Sequence, residues 1–130
     1  MSIDYLKKLL DDCWSYETCS PGFKNIWVSH NPSLGQCAVT ALIVNDMFGG
    51  KIMRCMTSSG SHYYNLIDDT IVDLTVGQFL GEMPLYDIGE ERTREYLLSN
   101  EDTKDRYMLL SNLLKQNIIK QCKLRKKAKP

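Results

Sequence analysis

One apolar run constrains the fold of this chain more than any other stretch of its sequence. The run extends over residues 38–44 (AVTALIV), and Gly49 and Gly50 follow it closely. Glycines just after an apolar segment are typical of a helix end. The segment therefore predicts a mostly buried central helix, against which the other elements must pack.

The residues before this run predict where the helix begins. Asn31 or Ser33 can act as the helix cap, and Pro32 suits a first helical position. Gln36 stands three residues after Ser33, which is the spacing of a capping box. Cys37 is then expected in the first turn, where unpaired backbone N–H groups and the helix dipole favour a thiolate. Cysteines are also common packing residues, so position alone does not establish a nucleophile.

Three predicted strands follow the central helix. They extend over 51–57, 61–67 and 70–75, with a turn at 58–60 and the pair Asp68-Asp69 between the last two strands. Two strand-like runs separated by two such residues predict a hairpin.

This hairpin would place three polar side chains on one face of the sheet. If the acidic pair forms the turn, His62, Tyr64 and Asp73 share a face. His62 and Asp73 are then diagonal neighbours, about 7–8 Å apart at the backbone. Asn65 falls on the opposite face, and a register shift of one residue would reverse the assignment.

Helices are predicted on both sides of this core. A first helix, capped by Ser2, has apolar residues at helical spacing: Ile3, Leu6, Leu9, Leu10 and Cys13. The other expected elements are loops over 18–30 and 78–87, a short helix from Glu90 to Ser99, and a longer helix starting at Asp102 or Thr103.

Composition and charge disfavour several classes of function, including nucleic-acid binding through a basic tail. The 130 residues suit one compact domain, which we place at 1–122, followed by a basic tail at 123–130 that is expected to fray. Sixteen basic and sixteen acidic residues cancel, so no global field points to nucleic acid or to a membrane. The tail lacks an aromatic platform for nucleic acid, and no apolar run is long enough to span a bilayer.

Signals for location and for cofactors are equally sparse. The amino terminus lacks the basic start of a signal peptide, and the five cysteines form an odd set without paired spacing. Reduced thiols in the cytoplasm are therefore expected, while export without a cleavable signal stays open. With two histidines and no C-x-x-C pair, the sequence predicts neither a metal site nor a cofactor. It leaves the oligomeric state open.

Cys37, His62 and Asp73 have the order of a Cys-His-Asp triad. A thiolate attacks a carbonyl carbon, an imidazole transfers the proton, and a carboxylate holds the ring in one tautomer. Asp73 stands in an apolar strand, where a charge without a partner would cost roughly several kcal/mol. His62 is the nearest partner, and the alternative is that Asp73 serves only a local backbone turn.

The same residues resemble a known group of enzymes. Residues 62–65 (HYYN) and 72–75 (VDLT) resemble the His and Asp strands of transglutaminase-like members of the papain-like superfamily. A wider resemblance, over about residues 27–80, is to small bacterial proteins of the YunG type; it includes NP at 31–32, GQC at 35–37 and FGG at 48–50.

This resemblance implies a role for each site residue. Cys37 would be the nucleophile, His62 the general base and acid, and Asp73 the orienting acid. In papain-like enzymes the oxyanion is held by the backbone N–H of the nucleophile and by an upstream amide side chain. The resemblance therefore implies Asn31 as the first candidate for that amide and Gln36 as the second.

The expected fold is α+β, with a small papain-like (transglutaminase-like) core. Its central helix carries the nucleophile and packs on a short antiparallel sheet, with helices at both ends. Trp27, Tyr64 and Asn65 are candidate cleft residues, although Trp27 more readily fits the core.

The expected function is a cysteine-dependent hydrolase or acyltransferase acting on an amide or thioester of a protein, peptide or small molecule. The alternative is a non-catalytic protein-interaction module on the same scaffold. Peptidases, amidases, deamidases and transglutaminases share the triad, so it does not select among them.

Overall fold

The fold is α+β, with a small antiparallel sheet packed against helices. The computed structural model describes residues 1–128, and Lys129 and Pro130 lie outside the described residues. The helices are α1 (Ile3–Asp11), α2 (Cys37–Phe48), α3 (Arg94–Leu98) and α4 (Glu101–Ala128). The strands are β1 (Lys51–Thr57), β2 (Gly60–Ile67), β3 (Thr70–Val72) and β4 (Glu90–Arg92), in the spatial order β3-β2-β1-β4. Short 3₁₀ turns occupy Pro21–Ile26, Val76–Phe79 and Tyr86–Ile88.

Helix α2 is buried at the centre of the molecule, as its sequence predicts. Every residue from 39 to 44 is at most 2% exposed. One side of the helix packs against α1 and α4 in the main apolar core, which includes Leu6, Leu10, Val39, Ile43 and Leu110. The other side contacts β1 and α3 through a smaller cluster of Ala41, Leu42, Ile52 and Leu97. Burial of such side chains stabilises the fold by about 1.5–3 kcal/mol each, so α2 holds both layers together.

The start of α2 differs from the prediction. Neither Asn31 nor Ser33 caps it; Gln36 occupies the cap position without a side-chain capping bond, and Cys37 is the first helical residue. The reason is Gly35, whose φ of +73° is left-handed and prevents a helix from passing through this point. The predicted capping box is therefore wrong, and Cys37 lies nearer the first residue of the helix than expected.

The hairpin between β2 and β3 has the predicted register. Asp68 and Asp69 form the turn with φ of 49° and 61°, and Asn65 pairs with Val72. Strand β3 is shorter than predicted, because the chain turns after Val72 and the Asp73 carbonyl accepts from Val76 N–H. Asp73 thus follows the strand rather than lying within it.

The segment after the sheet contains a strand where a helix start was predicted. Residues 90–92 pair with β1 as an edge strand, and α3 begins only after Thr93, whose hydroxyl accepts from Tyr96 N–H. Pairing with the open edge of β1 satisfies backbone N–H and C=O groups of residues 90–92. A local sequence pattern does not predict a pairing with a strand so distant in sequence. The expected helix from Glu90 to Ser99 is therefore wrong in its first residues.

Helix α4 is longer than predicted at both ends. The Asn100 side chain accepts from Thr103 N–H at 3.0 Å, so neither Asp102 nor Thr103 is the cap. At the other end the helix continues to Ala128, so residues 123–128 of the predicted frayed tail are helical. None of the helices within residues 1–128 is both long and apolar enough to cross a bilayer.

Replacing Gly35 with alanine is expected to destabilise the fold by about 1–3 kcal/mol. The new Cβ would lie 2.5 Å from the Cys19 sulfur, at a positive φ that alanine rarely adopts. Urea unfolding measures the loss. Gly22→Ala is the matched control, since a Cβ there meets nothing within 4 Å. Equal stability of the two variants would contradict the strain assigned to Gly35.

Candidate active site

A cavity of about 280 Å³ lies where the first turn of α2 meets β2. Cys37 and His62 line it, together with Gln78, Phe79 and Arg106. The structure therefore brings two of the three predicted triad residues to one cavity wall.

Cys37 lies at the amino end of α2, with its side chain partly exposed. The first bond of the helix runs from Thr40 N–H to the Gln36 carbonyl at 3.0 Å, so the amides of residues 37–39 have no acceptor within the helix. Of the other cysteines, Cys13, Cys19 and Cys55 are buried and Cys122 is exposed. Cys37 alone combines a partly accessible sulfur with the cavity and the positive end of a helix dipole.

His62 is held in place in the cavity wall by its neighbours. Its side chain is 1% exposed, and Nε2 lies 2.7 Å from Asp73 Oδ2. Phe79 lies nearly perpendicular to the imidazole ring at 4.8 Å between centroids, and Tyr64 lies nearly parallel to it at 6.4 Å. Because Nε2 is occupied, Nδ1 is the ring nitrogen left for proton transfer, and within residues 1–128 it has no hydrogen-bond partner.

Asp73 accepts from donors on both of its carboxylate oxygens. Oδ2 receives Tyr86 Oη–H at 2.7 Å in addition to His62. Oδ1 receives Thr75 N–H at 3.3 Å and the Thr75 hydroxyl at 3.5 Å. Asp73 therefore stabilises a local backbone turn and orients His62 at the same time. Hydrogen bonds of this kind hold a buried carboxylate in place.

The electrostatics of the site favour a protonated His62. Burial lowers the pKa of the imidazole, but the hydrogen bond to Asp73 and the nearby sulfur of Cys37 raise it more, to about 9. The sulfur is thus close enough to act on the ring, although its position falls short of a full hydrogen bond to Nδ1. Catalytic hydrogen bonds are often loose before substrate binds. Burial and the adjacent Asp73 raise the pKa of Tyr86, which keeps this phenol a neutral donor.

The chain matches the family model described as YunG protein over residues 2–119. It belongs to the YunG family. It is also similar to Uncharacterized protein YunG of Bacillus subtilis (strain 168), with 33% identity over 100 residues that cover 77% of this chain and 83% of that protein. The YunG-type resemblance predicted from the sequence is thereby confirmed. No solved structure matches the chain.

The two predicted oxyanion amides lie outside the cavity wall of this YunG-family protein. Gln36 is fully buried and its side-chain amide donates to the Ser15 carbonyl at 3.0 Å. Asn31 donates to the Gln78 carbonyl at 3.4 Å, on the loop that follows the hairpin. Both residues therefore fix the loop that leads into α2. The first backbone amides of the helix have no acceptor within it, so they are candidate oxyanion donors next to the sulfur.

The three predicted cleft residues are not part of the described cavity lining. Trp27 donates from its indole to the Pro32 carbonyl at 3.1 Å. Tyr64 is 3% exposed and supports the His62 ring. Asn65 donates to the Ala41 carbonyl at 3.0 Å, which ties β2 to the middle of α2.

Three residues of the YunG-family site were not predicted from sequence. Tyr86 belongs to a segment that reads as a surface loop, and it reaches Asp73 across thirteen positions of sequence. Gln78 lines the cavity and binds Gly35 N–H at 3.2 Å through Oε1. Arg106 stands four residues before Leu110 on the buried stripe of α4; a charged residue at such a position was the signal that could have found it. Residues 1–128 contain no cluster of three or more side chains suited to a metal ion.

The raised pKa of His62 is directly measurable. In a His30→Gln background, the ring protons of His62 should titrate with a midpoint near 9, rather than near the usual ~6.5. NMR titration measures this midpoint. Adding Asp73→Asn to this background removes the carboxylate that favours the imidazolium, so the titration midpoint of His62 should fall. A His62 midpoint below 7 with Asp73 present would contradict the assigned interactions.

The same shift predicts how stability depends on pH. The folded pKa of about 9 exceeds the unfolded value of ~6.5, so the stabilisation is fully present below the latter and is lost as pH rises through the former. Urea unfolding of the wild type and of His62→Gln at pH 6 and pH 9.5 isolates this contribution. The difference in the free energy of unfolding between the wild type and His62→Gln should shrink at the higher pH. A difference that stays constant would show that His62 does not gain a proton on folding.

Proposed function

We propose that this protein is a cysteine-dependent hydrolase or acyltransferase that forms a thioester on Cys37 from an amide or thioester substrate. The observation that carries the proposal is the buried His62–Asp73 pair at 2.7 Å, which leaves Nδ1 of the ring beside the partly exposed Cys37 at the start of a helix. This is the combination of nucleophile, base and orienting acid that acyl transfer needs.

The reaction follows from the geometry of these groups. The Cys37 thiolate attacks the carbonyl carbon, a C–S bond forms, and the carbonyl electrons move onto oxygen. The Cys37 backbone N–H and its neighbours at the helix start donate to that oxyanion. As the carbonyl re-forms, the bond to the leaving group breaks, and the His62 imidazolium gives the departing amine or thiol its proton. Water or an amine then attacks the thioester carbonyl and passes a proton to His62. As the carbonyl re-forms, the C–S bond breaks and the acid or amide product leaves, which restores the thiolate and the imidazolium.

Asp73 has a positioning role in this scheme. It accepts from Nε2–H and so directs Nδ1 towards the sulfur. Tyr86 and Thr75 keep the carboxylate from rotating away. A neutral amide in its place would allow the wrong tautomer of the ring, which in triads costs orders of magnitude in rate.

We also propose membership of the papain-like superfamily, in its transglutaminase-like branch. The support is the order of elements: a cysteine at the start of a buried helix, a histidine on a following strand, and an aspartate at the end of the next. A protein, peptide or small amide is the proposed substrate, and the cytoplasm the proposed location.

The proposal predicts selective acylation of Cys37. A panel of thioesters and activated peptide esters should leave an acyl adduct on this residue, because its partly exposed sulfur shares the cavity with His62, the proposed base. Peptide mass spectrometry locates the adduct. Cys37→Ala should abolish it, and His62→Gln and Asp73→Asn should lower turnover by at least about 100-fold.

Cys122 is the internal control for this experiment. Its thiol is exposed and lies on α4, so it reports ordinary cysteine reactivity. Cys122→Ser should leave turnover unchanged. If Cys37 and Cys122 acylate alike and no reagent turns over, the enzymatic proposal fails and the non-catalytic interaction module is favoured.

A further inference from the structure

We infer that Arg106 forms an anion-binding subsite beside Cys37, and that the substrate carries a carboxylate close to its reacting carbonyl. This inference rests on the proposed function, because it assigns the substrate class of the same cavity. It starts from Arg106, a buried cation in the cavity wall. Arg106 is not part of the triad, and its bonds within the fold use only some of its N–H groups.

Arg106 enters the cavity from α4. Its side chain is 7% exposed, Nε donates to Asp102 Oδ2 at 2.8 Å, and Nη1 donates to the Thr18 carbonyl at 3.0 Å. These two bonds fix the guanidinium plane. They also give Arg106 a structural role, since Thr18 belongs to a distant loop.

Part of the guanidinium remains free to bind a ligand. A guanidinium has five N–H groups, and the described residues accept two of them. Within residues 1–128 the buried polar side-chain atoms without a hydrogen bond are Gln36 Oε1 and His62 Nδ1. Nη2 also makes no bond there and is absent from that pair, so it keeps some accessible surface, and Arg106 is a residue of the cavity lining. The Nη2 N–H groups are therefore available to an acceptor that enters.

The charge of the cavity wall points to an anion. Its described lining includes the cation Arg106 and no aspartate or glutamate, while the charge of His62 is balanced by Asp73 directly behind it. The partner of Arg106, Asp102, is 45% exposed, so water screens its charge far more than that of the guanidinium. The polar lining also includes Ser20, Ser59, Ser61, Gln78 and Thr103. Such a wall offers donors and positive charge together.

A carboxylate is the anion that fits this wall best. Guanidinium groups bind carboxylates through paired N–H donors in a fixed plane. The cavity volume of about 280 Å³ lies just below the range of typical small-molecule pockets, so it suits a short acyl segment rather than a long chain. A chain-end carboxylate or an acidic side chain next to the reacting carbonyl would meet both conditions.

Two alkylating reagents that differ in charge test this inference. Iodoacetate and iodoacetamide have the same reacting carbon and leaving group, so the ratio of their rates at Cys37 reports the local charge. Arg106→Gln should lower the ratio of iodoacetate to iodoacetamide at least about fivefold, because a nearby positive charge attracts the anion. Arg106→Lys should keep most of the wild-type ratio. His62 is present in every variant, so its charge cancels in the comparison.

Arg92→Gln is the matched control. It removes the same charge from an edge strand outside the cavity, so its ratio should stay within about twofold of wild type. Thermal unfolding confirms that each variant is folded. The subsite is overturned if Arg106→Gln leaves the ratio of iodoacetate to iodoacetamide rates unchanged. It is also overturned if Arg92→Gln lowers that ratio as much as Arg106→Gln does. Neither result bears on the enzymatic proposal, which is judged separately by acylation and turnover.

A second measurement uses the unmodified protein, in case the Arg106 variants do not fold. N-acetylglycine and N-acetylglycinamide differ only in whether a carboxylate or an amide is present. N-acetylglycine should protect Cys37 from iodoacetamide at concentrations where the amide does not, because only the former pairs with the guanidinium. Equal protection, or none from either compound, would overturn the inference.

Discussion

The buried contact between His62 and Asp73 is the interaction on which the rest of the site depends. Both side chains are almost fully excluded from water, so each would be costly without the other. Removal of one partner of such a pair typically costs about 3–5 kcal/mol. Thr75 and Tyr86 also donate to this carboxylate. Their hydrogen bonds attach the turn after β3 and the segment before β4 to Asp73. A single carboxylate therefore fixes the ring, the end of β3 and the far loop.

Helix α2 supplies the other half of the geometry. Its apolar residues are buried against both layers, so the helix cannot slide or rotate without opening the core. Asn65 ties it to β2, the strand that carries His62. Gly35 allows the chain to turn immediately before the helix and brings Cys37 to its first position. The position of the sulfur relative to the ring is thus a product of core packing.

Helix α4 closes the cavity and contributes Arg106, a buried cation, to its wall. Asp102, the partner of Arg106, lies outside the described lining, and Asp73 balances the charge of His62. In the proposed enzyme the two groups have separate roles. The His62 imidazolium gives the leaving group its proton, and the Arg106 guanidinium orients an anionic substrate. The relevant residues come from α2, β2 and α4, so the substrate would bind where the two layers of the fold meet.

The sequence determined the elements whose signals are local. Alternation and an acidic pair were enough to predict the register of the hairpin, and with it the pairing of His62 with Asp73; an uninterrupted apolar run was enough to predict the buried central helix. The tertiary structure decided the start of that helix, the edge strand at 90–92 and the contributions of Tyr86 and Arg106. These depend on partners distant in sequence: the close passage of Gly35 beside Cys19, the open edge of β1, the carboxylate of Asp73 and the carbonyl of Thr18. A periodic pattern specifies which face of an element is buried, but only the packed chain determines which groups meet there.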